Sequence, residues 1–338
     1  MENSEKALVS VIITTYHNET YLPRAIESVL HQSYPKIELI VVDDNPPESE
    51  ARQATEKVME QYPQVIYLRH SKNKNGAAAR NTGIRAARGS YICFLDNDDF
   101  YFSNHITNCV NAIEKAPDCG CVLCGVVKIC EGICWDMIHA PTGELVKTLL
   151  LSETALGTGS NLFIRSSIVR ELKGFDESFI RHQDVEFGLR LFERCRACSL
   201  DDIQIVKEMS GFSNAPNLEK FFETKKHLWG KFHTEIRCLS EIEQKRYFAR
   251  QYSALLYVAC KENNREQIKH IVSQLKKYRS LNKREQLLLL LSKMHLFYVY
   301  EISKKKVKQV KSHQLYAKVI KNKSSYDVEI FKKALYHV

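Results

Sequence analysis

The segment YICFLDNDDF, residues 91–100, sets three carboxylates behind an apolar run. Tyr91, Ile92, Cys93, Phe94 and Leu95 read as a buried strand, and Asp96, Asn97, Asp98 and Asp99 follow without a break. Like charges that close repel, so water, a helix N-terminus or a metal ion must offset them. A second acidic strand end is IELIVVDD, closing on Asp43 and Asp44, and RHQDVEFGLR adds His182 and Asp184 as groups able to accept a proton.

These residues need elements to position them. VSVIITTY (9–16) is a β-branched run of the kind that parallel strands buried on both faces produce. NETYLPRAIESVLHQ spaces Leu22, Ala25, Ile26, Val29 and Leu30 as a helix, and IELIVVDD is the next buried strand. A helix over SEARQATEKVMEQY, a strand QVIYLRH, a polar loop SKNKNG and a helix AAARNTGIRAA lead to the strand at 91. Alternating strands and helices specify an α/β domain with a mostly parallel, Rossmann-like sheet, whose ligands lie at the carboxyl ends of the strands. No glycine-rich phosphate fingerprint follows the first strand, which excludes a dinucleotide dehydrogenase and a P-loop nucleotidase. Tyr16 could stack on a base, and Asp44 could accept the imide N–H of uracil.

VSVIITTYHNETYLPRAIESVLHQSYPKIELIVVDD, NKNGAAARNTGIRAARGSYICFLDNDD and GFDESFIRHQDVEFGLRL, in that order, resemble the family 2 glycosyltransferases of the type A fold (GT-A), over residues 8–212. The resemblance implies a nucleotide-sugar transferase. Its Asp-x-Asp motif falls on Asp96-Asn97-Asp98, with Asp98 binding Mn2+ or Mg2+ and Asp96 holding the ribose or the donor sugar. It places Thr14 and Tyr16 around the base, Asp44 on uracil, Asn75 near the base and Arg80 near the diphosphate; ordinary loop packing is the competing reading for Tyr16, and a surface helix position for Arg80. Asp99 reads as a cap or charge match for a following helix. The family's acidic pair and downstream Arg fall on Gln183, Asp184 and Arg190. Gln183 departs from the pattern, which leaves Asp184 as the base, His182 as an orienting group, and Arg190 as a partner for a carboxylate or phosphate or a plain structural ion pair. The stretch Gly157–Ser160 reads as an acceptor loop or a plain turn.

At 338 residues, with 44% hydrophobic and 10% aromatic residues, the chain can bury a sizeable core. Its net charge of +9 divides unevenly, −7 over residues 1–220 and +16 over residues 221–338. The expected organisation is a GT-A catalytic domain over 1–215 and a basic all-helical C-terminal region over 216–338. The eleven cysteines, with no even framework, and the absence of a basic-then-apolar start point to a reducing cytoplasm. Those in CGCVLCGVVKIC sit in an apolar run, where free cysteine packs as a small hydrophobe, in preference to structural zinc. No apolar stretch reaches the roughly 20 residues that span a bilayer. LLLLLSKMHLFYVY (287–300), in the basic region, lies either along a membrane surface or in a helical core. The reading is therefore an inverting, Mn2+- or Mg2+-dependent glycosyltransferase, a hexosyltransferase or N-acetylhexosaminyltransferase. It would move a sugar from a UDP-sugar to a glycan or lipid-linked glycan acceptor in cell-surface polysaccharide synthesis, with residues 221–338 offering peripheral attachment at the anionic inner face of the membrane. Two rivals are weaker. A non-catalytic sugar-nucleotide module would not need Asp at both the metal and base positions. A nucleic-acid binder would interleave aromatics with Lys and Arg, whereas here the aromatics fall mostly in apolar stripes.

Overall fold

The computed structural model describes residues 6–17, 19–153, 155–209 and 217–336. The sheet domain begins with β1 (Val9–Thr15), α1 (Leu22–Leu30), β2 (Ile37–Asp43), α2 (Glu50–Met59), β3 (Ile66–Arg69), α3 (Gly76–Ala86) and β4 (Tyr91–Asp96). Local chemistry sets the helix starts. Pro23 lies in the first turn of α1, the Ser49 hydroxyl accepts from Arg52 N at α2, and the Asn75 amide oxygen accepts from Ala78 N at α3. Next come β5 (Phe100–Tyr101), α4 (His105–Lys115), β6 (Cys119–Cys130), β7 (Ile133–Ile138), α5 (Leu145–Leu150), β8 (Phe163–Arg165), α6 (Ser166–Glu171), α7 (Gln183–Arg194) and β9 (Arg196–Glu208).

The sheet runs β3-β2-β1-β4-β8-β6-β9-β5, with β7 paired to β6. Its first four strands are parallel; β8 lies antiparallel to both β4 and β6, so the sheet is mixed. Register aligns the chemistry, with Thr14 opposite Asp96 and Thr15 opposite Asp43. Three strand ends thus open on one edge. The core beneath is apolar, with Val11, Ile13, Val41, Cys93 and Leu95 from the strands meeting Ile106, Cys109, Val110 and Ile113 of α4.

The remaining helices are α8 (Leu218–Lys231), α9 (His233–Cys238), α10 (Glu241–Lys261), α11 (Arg265–Lys276), α12 (Lys283–Lys293), α13 (Phe297–Ile320) and α14 (Ser325–Tyr336). The chain divides into two compact units that differ from a single cut after residue 215, a boundary that itself lies outside the described residues. One unit contains Met1–Gly143, Ala155–Ser213 and also Lys311–Val338; the other contains Glu144–Thr154 and Asn214–Val310. The C-terminal segment belongs to the sheet unit for a physical reason. Phe331, Ala334 and Leu335 pack with Phe102, Val127 and Ile129, and the buried Asp327 carboxylate accepts from the Ser103 amide at 2.7 Å and hydroxyl at 2.8 Å. The helical unit has its own core of Leu255, Leu256, Ile271, Leu275 and Leu288. Its aromatics contact one another, Trp229 with Phe248 and Tyr252, and Tyr278 with both of these, and Tyr278 and Tyr257 also line a cavity with Lys245, Arg246, Arg250 and Arg284.

Candidate active site

The acidic segment is built into the sheet rather than solvated. Asp96 ends β4. Asn97 turns inward, its amide donating to Thr15 Oγ1 at 2.9 Å and to the His17 carbonyl at 2.7 Å, which pins the segment to the end of β1. Asp99 is fully buried and accepts from the Thr158 and Ser160 hydroxyls, each at 2.7 Å, and from Glu208 N at 3.2 Å. It caps no helix, contrary to the sequence expectation: β5 intervenes, and α4 begins only at His105. The Asp98 carbonyl accepts from Arg24, whose guanidinium lies between the Tyr21 and Phe100 rings.

Carboxylate oxygens of Asp96, Asp98 and Asp99 lie within 4.8 Å of one another. Their protonation reflects the crowding. Burial, then the neighbouring Asp99 and Asp96 charges, push the Asp98 carboxyl up to about 8. Burial also raises Asp99, opposed by Lys207. Asp96 escapes this, because Arg80 and Lys207 outweigh the cost of burial and hold it below the ordinary carboxylate range. Lys207, on β9, keeps its proton in spite of burial through the fields of Asp99, Asp96, Asp98 and Asp184. Three hard oxygen donors whose mutual repulsion a divalent cation would relieve are a donor set that fits Mn2+ or Mg2+.

Across from this cluster, Arg80 on α3 donates to Asp96 Oδ1 at 2.5 Å and to Gln183 Oε1 at 2.8 Å, over the ring of Phe175. Gln183 in turn donates to the Phe179 carbonyl at 2.7 Å, so a neutral amide at this position orients Arg80 without competing for its charge. Asp184 follows in the first turn of α7, where the helix dipole favours a carboxylate. Gly159 is the facing surface. A Cβ there would lie 3.5 Å from Arg80 Nη2 and 3.9 Å from Asp184 Cβ. His182 precedes α7 in a left-handed conformation, φ 56°, and its side chain does not cap the helix.

Other expected residues are engaged elsewhere. Asp44 is buried, and each of its oxygens holds two donors: His70 Nδ1 at 2.7 Å and Lys74 N at 2.9 Å on one, Asn73 Nδ2 at 3.0 Å and Asn75 N at 2.9 Å on the other. A carboxylate has about four lone-pair sites, so Asp44 folds the 71–75 loop, and the expected bond to an imide N–H would have to replace one of these. Asn75, at φ 102°, caps α3 and donates to the Glu177 carbonyl at 2.9 Å. Arg190 is committed to buried Glu186, at 2.5 and 2.9 Å, and to the carbonyls of Leu172 and Gly174. Thr14, next to last in β1, lies opposite Asp96, and Tyr16 stands exposed beyond the strand with its ring edge against His17. Thr158 and Ser160 were legible only as part of an acceptor loop or a plain turn, and Lys207 and Arg24 carried no local signal, since each acts on residues far away in sequence.

A mostly parallel sheet whose strand ends gather an acidic cluster, with antiparallel β8 inserted beside it, defines the GT-A fold. Residues 10–173 match the model of glycosyl transferase family 2, and the domain that they form belongs to that family. An uncharacterized glycosyltransferase of Rickettsia typhi is 33% identical over 212 residues, 61% of this chain and 65% of that protein. The chain spans 29% of the length of one curated relative it matches, from Rickettsia bellii, and 65% of another, from Methanocaldococcus jannaschii. Among solved structures, the mannosyltransferase PcManGT from Pyrobaculum calidifontis, in complex with GDP-Man and Mn2+, aligns with a TM-score of 0.52 at 17% identity, over 99% of this chain and 88% of that one. S. aureus TarS aligns at 0.52 and 17% identity, over 90% and 55%. These likenesses establish the fold.

Proposed function

We propose that this protein is an inverting, metal-dependent glycosyltransferase that moves one sugar from a nucleotide-sugar, a UDP-sugar in the first instance, to an acceptor hydroxyl of a glycan or lipid-linked glycan. The observation that carries the proposal is the oxygen cluster of Asp96, Asp98 and Asp99 with Arg80, Gln183 and Asp184 converging on it. Asp98 would hold Mn2+ or Mg2+, which when bound neutralises charge on the departing diphosphate. The protein groups do the rest. Arg80, fixed by Asp96 and Gln183, offers a cation to the diphosphate, and Asp96 faces the ribose or donor sugar. Tyr16 and Thr14 border the base, against the loop that Asp44 and Asn75 shape. Asp184 takes the acceptor proton on a carboxylate oxygen as the acceptor oxygen attacks the anomeric carbon from the face opposite the diphosphate, so that one displacement inverts the centre. His182 orients the acceptor. Incubation with a panel of UDP- and GDP-sugars and Mn2+, read by mass spectrometry of products on candidate acceptors, tests the proposal; hydrolysis or transfer with none of the donors would overturn it.

A role in cell-surface polysaccharide synthesis would bring the enzyme to the inner face of the membrane. Among the described residues no helix is long and apolar enough to cross a membrane. Surface attachment is supported by the +16 of residues 221–338 and by exposed Leu287, Leu290, Met294, Tyr298 and Ile302. The 287–300 segment serves both purposes, since Leu288 and Phe297 are buried in the helical core.

A further inference from the structure

Behind the acidic cluster, the sheet unit contains a second set of ligand-type side chains that the proposed reaction does not use. His105 and Cys109 lie one turn apart on α4, and Cys124 faces them from β6; all three are at most 2% exposed. The two sulfurs are 3.6 Å apart, and His105 Nδ1 lies 3.8 Å from each. A tetrahedral zinc with Zn–S of about 2.3 Å and Zn–N of about 2.0–2.1 Å requires S···S of about 3.8 Å and S···N of about 3.6 Å. The three atoms thus already form one face of a zinc tetrahedron. We propose that His105, Cys109 and Cys124 bind a single Zn2+ ion, held as a structural clamp between α4 and β6.

Chemistry favours this over packing of small apolar thiols. A buried imidazole normally finds a carbonyl or carboxylate, whereas the ring nitrogens of His105 face the two thiols. Two thiolates neutralise Zn2+, so the complex needs no counter-charge in an apolar core, and water completes the tetrahedron. The Cys124 thiol is pulled down to about 6, first by the Cys109 hydrogen bond and, against burial, by His105, while burial and then Cys124 push the Cys109 thiol well up, so the pair shares one proton that the metal would displace. Complete burial couples metal uptake to folding.

The clamp would also bear on the active site. The Asn161 side chain accepts from Cys124 N at 2.7 Å and donates to the carbonyls of Cys124 and Leu156, which fixes the loop that carries Thr158 and Ser160. The Tyr101 ring lies tilted against His105, centroids 4.1 Å apart, and its hydroxyl lies 2.5 Å from the Phe94 carbonyl and 3.2 Å from that of Ser160. The same Ser160 holds Asp99. Zinc at His105 would therefore stiffen the wall against which the acidic cluster rests, independently of the metal that the cluster itself takes.

The test uses the full chain purified under reducing conditions from cells grown with zinc or with cobalt. Near one zinc per chain is expected, retained in Asp98→Asn and in Cys260→Ala, and lost in Cys109→Ala/Cys124→Ala. The cobalt form should show a sulfur-to-cobalt charge-transfer band, which a carboxylate site cannot produce. Zinc-edge absorption on the unaltered protein keeps the test decisive if the double variant fails to fold. Two sulfur and two nitrogen or oxygen neighbours are expected. A four-sulfur shell, a band that survives the double variant, or protein that folds without stoichiometric zinc would each overturn the proposal.

Discussion

Asp98→Asn is expected to separate stability from function in opposite directions. The Asp98 carboxyl rises from 3.8 to about 8 on folding. The folded state therefore holds a proton between pH 4 and 8 that the unfolded chain has released, and stability falls as pH rises through that window. At about 1.4 kcal/mol per pKa unit, the whole rise corresponds to a ceiling of about 6 kcal/mol above pH 8. Residual solvent contact and the shared charge of Asp96 and Asp99 reduce this to an expected 1–2 kcal/mol, roughly 2–6 °C in melting temperature. Asparagine mimics the protonated form at every pH. In chelator, the variant should melt higher than the parent at pH 8, and the gap should close as pH falls toward 4, while turnover with limiting Mn2+ is abolished. Differential scanning calorimetry at pH 5 and 8, paired with a donor-turnover assay, reads both. A variant no more stable than the parent at pH 8 would refute the electrostatic reasoning, and retained turnover would remove Asp98 from the metal site.

Asp184→Asn should lower turnover by roughly 10² to 10⁴-fold with nucleotide affinity nearly intact by calorimetry; lost affinity would move Asp184 to the donor side. Arg80→Ala should weaken donor diphosphate binding by about tenfold or more, as expected for loss of a charge-assisted contact, whereas unchanged binding would make Arg80 a structural partner of Asp96. Arg190→Ala removes the two hydrogen bonds that Arg190 gives buried Glu186 and should cost on the order of 3 kcal/mol in denaturant unfolding, with the KM for donor unmoved. Flotation with anionic vesicles should fall at high salt and in Leu290→Glu/Tyr298→Glu; flotation equal on neutral and anionic vesicles would defeat the membrane reading.

The strands, the helices between them and the acidic strand ends were legible because each is announced locally, by β-branched runs, by apolar spacing, and by carboxylates where a buried strand stops. The mixed character of the sheet was not. β8 is only Phe163–Arg165, and its direction follows from pairing with Tyr91–Cys93 and Cys121–Val122, which no short window records. The same limit hid the return of α14 to the sheet unit, since an amphipathic helix reveals that it has a partner and not which one. At the site, residue types were readable and commitments were not. Asp44 looked available and Arg190 stood between a ligand contact and a structural ion pair; the fold gives Asp44 to His70 and Asn73–Asn75 and pairs Arg190 with Glu186.

That difference bears on how the acidic cluster can exist without a bound cation. Three carboxylates with oxygens within 4.8 Å cannot all be ionised in a partly buried pocket unless something answers them. The fold answers each one differently. Arg80 offsets Asp96 directly; two hydroxyls and a backbone amide receive Asp99; Asp98 is left to a proton, with the Lys207 ammonium the principal opposing field. The carboxyl that the fold leaves least compensated is thus the one that the sequence resemblance assigns to the metal, and on the proposed reading a divalent cation there would displace a proton rather than a salt bridge. Breaking an ion pair would cost the buried partner its counter-charge, whereas releasing a proton near pH 8 costs little. On the proposed reading, that distribution of partners would let the cluster fold before a metal binds and still accept one.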